Sequence, residues 1–303
     1  MTETTQHAEK TQSEDSSSED KKKKGSDSSE KEGKSESKSS SGSEPQVGTR
    51  FSAEEIHDNV SEAAKEELDR PASELIWSSL ASGLLLGFSF LSVAFATSLV
   101  PPAYHTLATA IAYPIGFLYV VHARHQLFTE NTLEPVIPLL EKRDRETFGQ
   151  LMRLWAIVLP LNLVGALIFA EVLAHTQVVE PKLLTPLLDA ARVSTDGSAQ
   201  LIFYKGIWAG WLIALMAWLI AATHDTSAQI LLVWLATAPI AAFGFRHSIA
   251  GAVEAFYRAA VGDAPWSQMI FSFEIPAILG NIVGGVVLVA LLNHGQVSKA
   301  RES

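Results

Sequence analysis

From Leu75 to Ala123 the chain runs 49 residues without an Asp, Glu, Lys or Arg. A helix crosses a bilayer core of about 30 Å in about 20 residues, so this run is too long for one span. Pro101 and Pro102 divide it. The first span is predicted over about 74–99 and the second from near Tyr104. Further apolar stretches at about 148–173, 203–223, 230–256 and 274–294 bring the expected count to six transmembrane helices in an all-α membrane protein. The polar connection 174–204 is expected to carry a surface helix near 180–193, and 258–268 to be a loop.

Composition matters mainly because it is uneven. The formal charge of the whole chain is -10. Residues 1–70 hold 11 Lys and Arg against 18 Asp and Glu, and residues 71–303 hold 12 against 15. The acidity belongs to the N-terminal part. Residues 1–50 are Ser, Glu, Lys, Asp and Gly with no aromatic side chain, a composition that cannot offset its ordering entropy and is expected to be a disordered tail. Lys21–Lys24 within it reads as a solvated charge run. Residues 51–70 read as a cytoplasmic amphipathic helix, with Ser52 and Glu55 forming a capping box and Pro71 ending it. Residues 71–297 are the membrane domain, and 298–303 a short cytoplasmic end. The absence of cysteine removes disulfides, thiolate catalysis and Cys-ligated zinc. The N-terminus has no apolar signal core, so internal segments drive insertion. Basic residues in the loop after the second span (Lys142, Arg143, Arg145) favour cytoplasmic termini.

Two spans carry polar residues where apolar ones are expected. The second runs into HARHQLFTENTLEP at 122–135, and the fifth, Ile230–Phe256, holds Arg246 and His247 side by side near its middle. An arginine there costs roughly 2.5–3.5 kcal/mol on insertion scales, and such residues usually face a cavity. The two halves also rhyme. Asn162-Leu-Val-Gly165-Ala166 in the third span answers Asn281-Ile-Val-Gly284-Gly285 in the sixth. Three spans is an odd number, so the second copy is inverted in the membrane. Two inverted three-helix repeats with broken helices 2 and 5 describe a transporter or channel whose path runs where the breaks meet. Asn162 and Asn281 are assigned a structural part, bonding the broken-helix backbone. Ser79, Gly83 and Gly87 give a small-residue face for close helix contact.

These motifs resemble the formate/nitrite transporter family. Leu127-Phe128-Thr129, NLVGA at 162–166, Gly206-Ile207, Gly244-Phe245, His247-Ser248-Ile249-Ala250 and GNIVGG at 280–285 fall in the family's order across about residues 71–295. The resemblance implies an aquaporin-like six-helix protomer assembled as a homopentamer, with one pore per protomer. Carried over by position, Leu127, Phe128 and Thr129 form the inner constriction, and Tyr113, Phe117 and Ile240 the outer one. His247 matches the pore histidine, and Lys205 lies near the outer mouth, where it attracts anions. Three positions depart from the pattern. Arg246 replaces a residue that is commonly acidic, Glu130 one that is commonly small, and Gly210 an asparagine. The first two read as a charge exchange, so Arg246 and Glu130 are expected to interact.

The function implied is a channel or transporter for a small monovalent anion or its weak acid. An anion crosses an apolar constriction at high cost, whereas the protonated acid meets a lower barrier. His247, expected to be neutral at rest, and Thr129 would hydrogen-bond the permeant. A non-transporting membrane scaffold and a neutral-solute channel stay open as alternatives, although the Asn-Pro-Ala pairs of a water channel are absent. No enzyme activity, cofactor, metal site or nucleic-acid partner is expected. The partners are the bilayer, the small anion and further copies of the chain, in the inner membrane of the cell.

Overall fold

The computed structural model describes residues 51–302. The expected disorder of residues 1–50 and the lysine run at 21–24 lie outside the described residues.

Helix α1, Ala53–Asp69, begins as its sequence dictates. Ser52 accepts from the Glu55 N–H, and the Glu55 carboxylate accepts from the Ser52 N–H at 2.6 Å. The buried stripe His57, Val60, Ser61, Ala64 and Leu68 faces the rest of the protein. Asn59 fastens it to the Ala221 carbonyl at 3.1 Å, and Ser61 to Glu141 at 3.1 Å.

Five helices are long and apolar enough to cross a membrane. They are α2 (Ala72–Ser98), α3 (Pro102–His122), α5 (Arg145–His175), α7 (Ala199–Ile220) and α10 (Trp266–Val297). Short α4 (Val136–Lys142) connects α3 to α5. The stretch expected to be one fifth span is divided. It forms α8 (Thr226–Ala242), which is 17 residues long, and α9 (Ser248–Ala260), with residues 243–247 non-helical between them. The loop expected at 258–268 shrinks to 261–265, because α9 continues through Arg258 and α10 starts at Trp266. Helix α10 is longer than the 274–294 of the sequence reading. It widens to π-type turns at Met269–Glu274 and Gly284–Leu291, a local adjustment often found where a helix is built around a site.

The expected surface helix is α6, Leu184–Thr195, and it does more than lie on the surface. Leu187, Ala191 and Thr195 are buried, and Leu187 and Ala191 share a core with Phe90 and Val253. The wide apolar exterior, with Trp77 71%, Leu231 68% and Leu235 63% exposed, has no account in water and fits a lipid or protomer surface.

Small residues set the helix spacing. A Cβ on Gly83 would overlap the Asn162 carbonyl oxygen, and one on Gly210 would overlap that of Asn281. Likewise Gly165 abuts the Leu80 carbonyl and Gly284 that of Ile207. Helices α2 and α5 thus meet as α7 and α10 do, with backbone on backbone.

Candidate functional site

Two breaks in helical structure build the site, and they are made alike. After α3 the chain turns at Arg124, φ 55°, and after α8 at Gly244, φ 64°. In the first, the Arg124 N–H donates to Val121 O at 3.1 Å and the His125 N–H to Val120 O at 3.0 Å. In the second, Gly244 donates to Ala241 O at 3.1 Å and Phe245 to Ile240 O at 2.8 Å. Both are Schellman endings, which use a left-handed residue to satisfy the last helical carbonyls.

The backbone beyond each ending has left its helix, so its polar groups need partners from elsewhere. Asn162 supplies them for the first break. Its Oδ1 accepts from Phe128 N–H at 2.9 Å, and its Nδ2 donates to Gln126 O at 2.9 Å and Ser79 O at 2.8 Å. Asn281 does the same for the second. It accepts from Ser248 N–H at 2.8 Å and donates to Arg246 O and Gly206 O, each at 2.8 Å. Both side chains are fully buried.

The two breaks join at one hydrogen bond. Thr129 Oγ1 lies 2.8 Å from His247 Nε2, and both residues are buried. His247 is also the N-cap of α9, where its Nδ1 accepts from the Ala250 N–H at 3.1 Å. An Nδ1 that accepts carries no proton, so the neutral ring is protonated at Nε2 and donates to Thr129. The Phe117 ring meets the imidazole edge-on, with centroids 5.0 Å apart, and Tyr113 follows at 5.3 Å from Phe117. Leu127, Phe128 and Ile240 are each about 1% exposed. Of the residues assigned to the two constrictions, Thr129 and Phe117 touch His247, Tyr113 and Ile240 line the same cavity as it, and Phe128 packs edge-on against Trp155.

On the α6 side, a cavity of about 490 Å³ opens down to His247. Its lining mixes Tyr113, Ile240 and Phe245 with Thr109, Arg246 and Glu254. Arg246 donates through Nη2 to the Val193 carbonyl at 2.9 Å. Lys205 Nζ sits by Gly244, close to the same guanidinium. Glu254 lines the same cavity, and it and Asp196 attract the Arg246 guanidinium at longer range.

The expected Arg246–Glu130 pair does not form. Glu130 belongs to a different cluster, with Glu134 and Glu67 of α1. That cluster flanks the first break, while Arg246 lies in the second, so Thr129 and His247 stand between the two charges. The acidic cluster is tied in by Gln126. Its Nε2 donates to the Glu67 carboxylate, and its Oε1 accepts from Asn131 Nδ2 at 3.0 Å. Burial pushes the Glu67 carboxyl above its ordinary range, against the opposing pull of Arg70 at 3.4 Å.

Sequence reasoning did not assign Gln126, Val193, Ser194 or Glu254. The spacing Leu183, Leu187 and Ala191 marks α6 as a packed helix, but no local signal shows that its last turn reaches Arg246. Among the described residues, no group of three or more His, Asp or Glu is placed to hold a metal ion.

A family model described as Formate/nitrite transporter matches residues 54–295. The chain is similar to Inner membrane protein YfdC of Escherichia coli (strain K12), with 34% identity over 80% of this chain and 78% of that protein. It is 31% identical to a Probable formate transporter of Methanothermobacter thermautotrophicus, over 61% of this chain and 73% of the other. Its fold is similar to that of a solved structure titled "Pentameric formate channel with formate bound", with a TM-score of 0.64 and 23% identity over 73% of this chain and 95% of that one.

Proposed function

The chain belongs to the formate/nitrite transporter family, and from that premise we propose that it is a homopentameric channel in the inner membrane, termini cytoplasmic, each protomer passing a small monovalent anion as its weak acid. The observation that carries this reading is the 2.8 Å bond between Thr129 and His247, formed where two breaks meet beneath an open cavity.

Opening that bond frees two groups at one place. The Nε2–H of His247 donates to an oxygen of the permeant, and the Thr129 hydroxyl offers a second polar contact. The Phe117 ring beside them, fully buried, is a poor setting for an anion, since a desolvated charge is costly. A permeant that takes a proton from water in the vestibule meets a far lower barrier. It crosses as the neutral acid and gives the proton to water on the other side. Arg246, Lys205 and Glu130 set the charge on the two approaches.

The test is uptake into proteoliposomes of formate, acetate, lactate, nitrite and hydrosulfide at several pH values. The expected result is uptake that rises as external pH falls and is lost in His247→Ala. Wild-type vesicles that take up none of these anions would overturn the reading and leave a membrane scaffold in its place.

A further inference from the structure

Arg246 is 6% exposed, and among the described residues its guanidinium has one acceptor, the Val193 carbonyl. No carboxylate there comes within ion-pair distance of it, and its Nε is buried with no acceptor. A second cation, Lys205, lies beside it rather than an anion. A buried guanidinium is ordinarily paired, because leaving one unpaired is among the most costly arrangements in a protein interior. Here it lines the cavity of about 490 Å³ that ends at His247. The two acidic groups that face it, Glu254 and Asp196, act only at longer range, and Asp196 is paired with Arg258 at 2.7 Å.

We propose that Arg246 is the docking residue for a short-chain monocarboxylate in this vestibule, holding the ionised carboxylate one residue before His247. Planar, bidentate recognition of a carboxylate is what a guanidinium does better than an ammonium. The vestibule does not sieve by length, since its volume exceeds that of an acid of one to three carbons many times over. Size selection is left to the Phe117–His247 constriction below. Arg246 is therefore specificity-determining at the level of charge and shape, and it loads the constriction with the anion that is then protonated. This assignment rests on the channel reading for its biological meaning, but docking itself is measurable without transport.

Two measurements separate them. Saturation-transfer NMR of acetate with the full-length protein in detergent reads docking, and proteoliposome uptake reads the channel. The wild type is expected to give an acetate methyl signal that falls at least fivefold in Arg246→Gln, with Arg246→Lys between the two. Arg246→Gln is compared only if it elutes at the wild-type position. Otherwise Arg246→Lys, which keeps the charge and loses the planar fork, carries the test. No acetate signal in the wild type, or a signal in either variant equal to wild type, would overturn the docking. Acetate binding without uptake of any anion supports the docking and removes the channel reading.

Discussion

A buried imidazole that accepts at Nδ1 has one place left for its proton, and this decides what Thr129 does. The Ala250 N–H at 3.1 Å occupies Nδ1, so Nε2–H needs an acceptor, and Thr129 Oγ1 is 2.8 Å away. Thr129→Val keeps the shape and removes that acceptor. Leaving a buried donor unsatisfied costs about 1–3 kcal/mol. Thermal unfolding of the purified variant should show that loss, and weak-acid uptake should fall by about tenfold, since each 1.4 kcal/mol is a factor of ten. Thr129→Ser, which restores the hydroxyl, should recover most of both. At this scale the sequence was legible wherever a polar residue sat in an apolar run. His247, Asn162 and Asn281 are costly there, and each has a task that repays the cost. The partner of Arg246 was not legible. Complementary charges at 130 and 246 invite pairing on paper, but which side of a constriction a charge occupies is a matter of three dimensions. Glu254 was visible as a carboxylate in the same stretch, with nothing local to tie it to the arginine.

Element boundaries followed the same division between local and distant causes. Helix α1 was readable to its ends, because a capping box and a proline act within a few residues. The division of 230–256 into α8 and α9 was readable only as a polar interruption. Its geometry depends on Gly244 at φ 64° and on Asn281 reaching in from α10. The π-type turns of α10 had no sequence signal; the second of them begins at Gly284, which packs on the Ile207 carbonyl of α7. That packing is a place to test the fold. Gly210→Ala puts a methyl group into the Asn281 backbone and should destabilise the protein by about 1–3 kcal/mol through forced separation of α7 and α10. Gly149→Ala in α5 meets nothing within 4 Å and should stabilise by about 0.5–1 kcal/mol, as expected for glycine in a helix interior. Denaturation of both variants in the same detergent checks the contrast. Helix α1 carries a pH dependence of its own. Burial raises the Glu67 carboxyl above its ordinary 4.5, so the folded protein binds that proton more tightly than the unfolded chain. The stabilisation is complete below 4.5, and it is lost as pH rises through the raised value. Amide exchange in α1, corrected for intrinsic rate, should therefore show protection falling as pH climbs from 4.5 upward. Glu67→Gln should flatten that trend, and an unchanged fall in the variant would show that another group is responsible.

For the molecule as a whole, the two halves are built on one plan, and their two breaks meet at the Thr129–His247 bond. Each half has a close helix pair, a Schellman ending and a buried asparagine that holds the released backbone. Asn162 and Asn281 share no partner. If the halves were independent, removing both asparagines would cost the sum of the separate losses, as distant sites usually do within about 0.3–0.5 kcal/mol. They are not independent, because Phe128 on one asparagine adjoins Thr129, and Ser248 on the other adjoins His247. A shift of either break is enough to part Thr129 from His247. The first asparagine removed therefore takes the constriction bond with it, and the second has no such bond left to break. Asn162→Ala and Asn281→Ala should each cost about 2–4 kcal/mol, from one buried donor and two buried acceptors left without the amide. The double variant should cost less than their sum by about the net worth of one hydrogen bond, about 1 kcal/mol. In a Thr129→Val background that bond is already gone, and the same two substitutions should add. Denaturation of the eight proteins of this cycle in mixed micelles measures the difference. Equal coupling in both backgrounds would mean that the halves communicate through packing rather than through the Thr129–His247 bond. Coupling confined to the Thr129 background would make that bond the mechanical link between the two breaks as well as the place where the permeant is received.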